Sequence, residues 1–123
     1  MTVDAAGRPT GAPAPDVFDP APPADRSADP DTLAAAGDLL RALAAPVRIA
    51  VVLQLRESPR CVHELVDALG VTQPLISQHL RVLKGAGVVR GDRRGREVVY
   101  RLVDSHLAHI VVDAVAHVQE DGR

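Results

Sequence analysis

Residues 61–87, CVHELVDALGVTQPLISQHLRVLKGAG, constrain the fold more than any other stretch of the chain. Val62, Leu65, Val66 and Leu69 recur at helical spacing and form one apolar stripe. Gly70 stands where the end of a helix wants a left-handed residue. One residue later Thr72 can cap a second helix, with Pro74 in its first turn. Leu75, Ile76, Leu80 and Leu83 are expected to face inward on that helix, and Gly85 and Gly87 to end it. Two short helices on so tight a turn read as a helix–turn–helix. Its second helix keeps one face packed and offers the other to a DNA major groove.

The flanks supply the rest of a domain. Leu33, Ala36, Leu40 and Leu43 repeat helically from about Asp31–Thr32 to residue 44. Pro46 suits the first turn of a further helix, which Ile49, Val52, Leu53 and Leu55 carry to about Arg56. Beyond residue 87, VVRGD, RRGR and EVVYRLV read as strand, Gly-containing turn and strand, with Val98, Tyr100 and Leu102 sharing a face. A last helix starts at Asp104–Ser105 and reaches about Glu120. The expected class is therefore mainly α with a small β-hairpin. With one Phe, one Tyr and no Trp, its core must be built from Leu, Val, Ile and Ala. Seven of the ten prolines fall within residues 1–30, spaced by Ala, Asp and Gly. Such a segment buries too little to offset its ordering entropy. Residues 1–31 are expected to be a disordered tail and 32–123 the folded domain.

Charge is unevenly spread behind a net value of −2. Residues 1–31 balance at −4 and 102–123 at −3, whereas 72–101 carry six Arg and one Lys against Asp92 and Glu97, a balance of +5. A basic block in a mildly acidic chain is a local anion-binding surface, for which nucleic acid is the commonest partner. Cys61 is the only cysteine, so no intrachain disulfide forms and a reducing compartment is expected. No apolar run reaches the roughly 18 residues of a membrane span, and the N-terminus lacks a signal pattern. The expected location is cytoplasmic.

On the second helix of the pair, Gln73, Ser77, Arg81 and Lys84 recur at four, four and three residues, with Gln78 beside Arg81. Gln and Arg make the bidentate contacts that distinguish adenine from guanine, while Ser and Lys suit phosphates. Arg93, Arg94 and Arg96 surround Gly95 at the hairpin tip, a basic point fit for phosphates or a minor groove. His79 has two open roles: reaching the DNA, or packing under the turn as a satisfied, partly buried ring.

The motifs LAAPVRIAVVLQL, CVHELVDALGVTQPLISQHLRVLKGAGVV and RRGREVVYRL together resemble the ArsR/SmtB family of winged helix–turn–helix repressors. The resemblance spans Leu43 to Glu120 and none of the Pro-rich tail. It implies five helices plus a two-stranded wing, dimerised by the first and last helices. It further implies a bacterial repressor, of a family in which many members leave DNA when a metal binds.

The last helix carries three of the five histidines, in DSHLAHIVVDAVAHVQE. His106 and His117 lie within about 20° of one helical face, yet about 16 Å apart along the axis. One straight helix cannot bring them to one ion. An antiparallel copy about a two-fold near residues 111–112 sets His106 of one chain beside His117 of the other, with Asp104 and Glu120 at the same ends. Two imidazoles and two carboxylates suit a near-tetrahedral zinc ion, with cobalt or nickel as competitors. The spacing Asp-x-His, ten residues, His-x-x-Glu also matches the last-helix site of zinc-sensing members of the resembled family. The expected ligands are thus Asp104, His106, His117 and Glu120. His109 falls outside the four, as an added ligand or a neighbouring surface residue.

A different site known in relatives would fall at Cys61-Val62-His63. No Cys or His precedes residue 61, so this pair has no evident completion and Cys61 reads as a small packing residue. The expected function is a homodimeric, metal-responsive repressor, not an enzyme, which binds an imperfectly palindromic operator as apo protein. No membrane or small-molecule substrate is expected as a partner. The alternative is a winged repressor answering another signal, such as redox chemistry at Cys61 or a nickel or cobalt ion.

Overall fold

The computed structural model describes residues 29–121. Apart from residues 29–31, the N-terminal segment read as a tail lies outside the described residues. The described residues divide between Ala36 and Gly37 into two units. The described part of the first holds the opening turns of helix α1 (Pro30–Leu43), which starts slightly earlier than the spacing suggested. There Asp29 Oδ1 accepts the Asp31 N–H at 3.0 Å, the bond expected of an acidic residue just before a helix.

The second unit carries the fold. After the end of α1 come α2 (Pro46–Glu57), β1 (Arg60–Cys61), α3 (Val62–Leu69), α4 (Gln73–Gly85), β2 (Val89–Arg94), β3 (Glu97–Leu102) and α5 (Ser105–Asp121). Five helices among the described residues, a helix–turn–helix and a β-hairpin make a winged helix. One element departs from expectation. The sheet has three strands in the order β1-β3-β2, not two. Arg60 lies opposite Tyr100 and Cys61 opposite Val99, so the short β1 ties the start of α3 to the wing. The hairpin itself runs in register from Val89 opposite Leu102 to Arg94 opposite Glu97.

Local chemistry explains the boundaries. Gly70 takes φ +67° and its N–H returns to Val66 O at 2.9 Å, closing α3. Thr72 occupies the cap position of α4 with extended backbone, but its side chain makes no capping bond. The cap is the backbone alone, with Ile76 N–H donating to Thr72 O at 3.0 Å. At α3, Glu64 reaches back to accept the Cys61 N–H at 2.9 Å, satisfying one donor of the first turn.

The core joins Val51, Val52 and Leu55 of α2 to Leu65, Ile76, Leu80, Leu83, Val88 and Val89, with Leu107 and Val111 of α5 closing it. No charged or polar side chain is buried among them. Leu75 is the exception to the expected inward set, at 42% exposed. It sits roughly 100° round the helix from Ile76, so the face holding Ile76, Leu80 and Leu83 turns it outward, together with Val82. No helix of the described residues is long and apolar enough to cross a membrane.

Candidate DNA-reading surface and metal ligands

Burying Ile76, Leu80 and Leu83 fixes the roll of α4, and that roll decides which polar side chains it presents. Gln73, Gln78, Arg81 and Lys84 are exposed and Ser77 is half-buried. Ser77, Arg81 and Lys84 line one groove of about 210 Å³ together with Tyr100 of the wing. Gln73 belongs instead to a neighbouring cavity of about 380 Å³ that it shares with Arg96. The end of β2 carries Arg93 and Arg94 and the turn to β3 carries Arg96, all exposed. The helix and the wing thus present cations side by side, on elements held by one core.

His79 sits apart from the other residues of this surface. It is half-buried, and its Nδ1 lies 3.2 Å from Arg48 Nη1 of α2. A guanidinium can only donate, so Nδ1 must accept and the ring proton sits on Nε2. Arg48 also donates through Nε to Ala42 O at 2.6 Å, near the end of α1. The second of the two roles foreseen for His79, a satisfied partly buried ring, accounts for its Nδ1.

The last-helix residues divide into two groups within a chain. Asp104 Oδ1 accepts the N–H groups of His106 at 3.0 Å and Leu107 at 3.3 Å, capping α5. The same oxygen lies 3.4 Å from His106 Nδ1. A carboxylate has a second oxygen to offer an ion, and both side chains are exposed. His117 and Glu120 are exposed as well, further along α5. The chain by itself does not gather all four, since the described metal-ligand clusters of three or more do not include them. Their chemistry fits zinc as two half-sites. His109, also exposed, lines a separate groove with Arg56, Arg101 and Asp104.

A different cluster lies inside one chain: the Cys61–His63 pair, expected to have no completion, is joined by Glu97, which the sequence did not point to. Cys61, His63 and Glu97 bring their ligating atoms within 4.8 Å of one another. Cys61 itself is buried, as expected of a packing residue. Burial raises its thiol pKa above the usual value, and the carboxylates of Glu64 and Glu97 push the same way. Glu64 is held below the usual carboxylate range by the Cys61 N–H and thiol.

Residues 45–90, covering α2, the helix–turn–helix and the start of the wing, match the bacterial regulatory protein, arsR family. The transcriptional repressor SmtB of Mycobacterium tuberculosis is 70% identical over 108 residues, covering 80% of each chain. The chain belongs to the arsR family. Among solved structures, a homodimeric winged helix–turn–helix DNA-binding domain from Mycobacterium bovis aligns at a TM-score of 0.67 and 27% identity. It covers 80% of this chain and 92% of that one. A cadmium sensor from M. tuberculosis aligns at a TM-score of 0.53 with 40% identity, covering 59% of this chain and 75% of that one. The arsR-family fold accounts for the shared helix–turn–helix and wing.

Proposed function

We propose that this arsR-family chain is a homodimeric transcriptional repressor that binds an imperfectly palindromic operator as apo protein. It releases the operator when a zinc ion is held between the last helices of two copies. Asp104 and His106 of one chain, with His117 and Glu120 of a second copy, hold the ion. The observation that carries the metal reading is Asp104 poised 3.4 Å from His106 at the start of α5, on a helix whose far end exposes His117 and Glu120. The repressor SmtB at 70% identity and the cadmium sensor among the structural neighbours support it.

The dimer reading has its own support. Leu40 of α1, and Ile110 and Val118 of α5, remain 53%, 36% and 66% exposed. Leu40 and Ile110 line a groove of about 190 Å³ with Leu43, Ala44, Ile49, Val111 and Ala114. An antiparallel copy of α5 laid along this groove covers the apolar faces and brings the two half-sites together. Zinc supplies a fixed cross-link there when bound. Asp104 caps α5 in the same place, so its carboxylate is held at the helix start before any ion arrives. Release requires the ion to favour the DNA-free dimer, and a coupling of about 1–3 kcal/mol, or 5- to 150-fold in affinity, is ordinary. Redox sensing at Cys61 is disfavoured by a buried thiol whose pKa is raised, since the thiolate is the reactive form.

The test is fluorescence anisotropy of operator DNA with and without zinc, in wild type and His117→Gln. Wild type is expected to lose affinity on adding zinc, while His117→Gln binds DNA normally but ignores the ion. Equal zinc response in both proteins contradicts the assignment.

A further inference from the structure

We propose that Leu75 is a specificity-determining residue for DNA, reading the C5 methyl group of a thymine at or beside the base pair that Gln78 contacts. This role rests on the reading of α4 as the helix that enters the major groove.

α4 is apolar on two sides, and the fold needs only one of them. Ile76, Leu80 and Leu83 are buried and face the core. At about 100° per residue, Gln78 stands roughly 170° from the middle of that stripe, so it is directed most squarely away from the core. Around it the outward face divides. Arg81, about 60° to one side, leads on to Ser77 and Lys84, which share a groove with Tyr100 of the wing. Leu75 and Val82, about 60° and 40° to the other side, are 42% and 39% exposed. Neither belongs to the core cluster. The flank beside the wing is thus polar and cationic, while the opposite flank is aliphatic.

A single exposed leucine needs no explanation by itself; its position on this helix supplies one. Leu75 sits in the first turn of α4, and in helix–turn–helix proteins the N-terminal residues of the second helix meet the base edges. The alkyl group that base edges present in a major groove is the thymine methyl, and aliphatic side chains recognise it by contact. Side chains three apart on a helix have Cβ atoms about 5–6 Å apart, while successive bases rise about 3.4 Å. Leu75 and Gln78 therefore reach the same base pair or adjacent ones. The Gln78 amide can accept from adenine N6 and donate to N7. Together the two side chains select A·T pairs, one by hydrogen bonds and the other by shape. Arg81, on the far side of Gln78, remains suited to guanine or phosphate.

The experiment starts from duplexes enriched out of a random pool by the full wild-type chain, with a chelator present so that no metal takes part. Each thymine of the enriched sequence is then replaced by deoxyuridine, which keeps every hydrogen-bonding group and deletes only the methyl. Affinity is read by fluorescence anisotropy. Wild type should lose about fourfold at one thymine per half-site, the worth of one buried methyl group, and roughly fifteenfold when both half-sites are substituted. Leu75→Ala should bind the thymine and uracil duplexes equally at that position, and Leu75→Met should recover a preference for thymine. Val82→Ala changes the same flank about 10 Å further along the helix and should keep the wild-type methyl dependence. Because Leu75 is exposed, the urea midpoint of Leu75→Ala should match that of wild type. The proposal is overturned if Leu75→Ala keeps the methyl dependence, or if no thymine methyl matters to wild type. Equal loss of the dependence in Leu75→Ala and Val82→Ala overturns it too, since that marks a general disturbance of α4. Failure of wild type to enrich any sequence ends the reading of α4 as the DNA-contacting helix and this role with it, so the two failures are told apart.

Discussion

Arg48 illustrates how one side chain can serve two elements. Its Nε closes the Ala42 carbonyl, and its Nη1 holds His79 of α4 in a single tautomer. Replacing it by Met leaves a carbonyl near a helix end without its charged donor, a loss of about 1.5–3 kcal/mol. Urea unfolding of Arg48→Met should show that loss, and DNA affinity should fall further than stability alone explains if His79 orientation matters. Asp92 makes a second residue-level prediction. Arg101 donates to it through Nε at 2.9 Å and holds its carboxyl below the usual carboxylate range. A depressed folded-state pKa stabilises the fold above the ordinary unfolded value, and that stability is lost as pH falls through the lower folded value. Thermal melts below about pH 4 should therefore separate wild type from Asp92→Asn less than melts at neutral pH do. The pair is partly exposed, so the gap should also shrink in high salt.

The helices were legible because their apolar spacing is strong, and the elements the sequence hid are those where periodicity has little to work on. Strand β1 is two residues long, too short for any alternation, and only its pairing with Tyr100 and Val99 reveals it. Glu97 was invisible as a neighbour of Cys61 and His63 for the same reason, since nothing in the order of residues brings it there. Leu75 misled because it adjoins Ile76 in an apolar pair, and only the burial of Leu80 and Leu83 decides which of the two faces the core. Gly70, by contrast, was readable from type alone. Its φ of +67° disfavours a side chain, so Gly70→Ala should lower stability by roughly 1–2 kcal/mol in chemical denaturation. Gly91 acts through contact instead: a Cβ there would stand 2.6 Å from Val98 Cγ1 and 3.1 Å from Tyr100 Cε1. Gly91→Ala must push Val98 aside on the neighbouring strand, and a loss of about 1–3 kcal/mol is expected, with weaker protection of wing amides in hydrogen exchange.

At the scale of the whole molecule, one core of aliphatic side chains holds a cationic reading head, and exposed apolar faces of α1 and α5 await a second copy. Affinity for DNA should fall steeply with salt. Arg93→Ala and Arg94→Ala should each flatten the log–log slope by about one if they meet phosphates. The four residues proposed as last-helix ligands, Asp104, His106, His117 and Glu120, could be named from the sequence because their spacing suits a paired helix. Their union was not visible within one chain, because about 16 Å of helix separates the two histidines. The most direct test is therefore complementation. Differently tagged His106→Gln and His117→Gln chains are refolded together, and the heterodimer is isolated and titrated with zinc. If each site spans two chains, one site of the heterodimer loses both histidines and the other keeps both. The account predicts tight zinc binding at half the wild-type last-helix stoichiometry, where either homodimer alone binds none there. A heterodimer as deficient as its parents would contradict a shared site and with it the proposed switch.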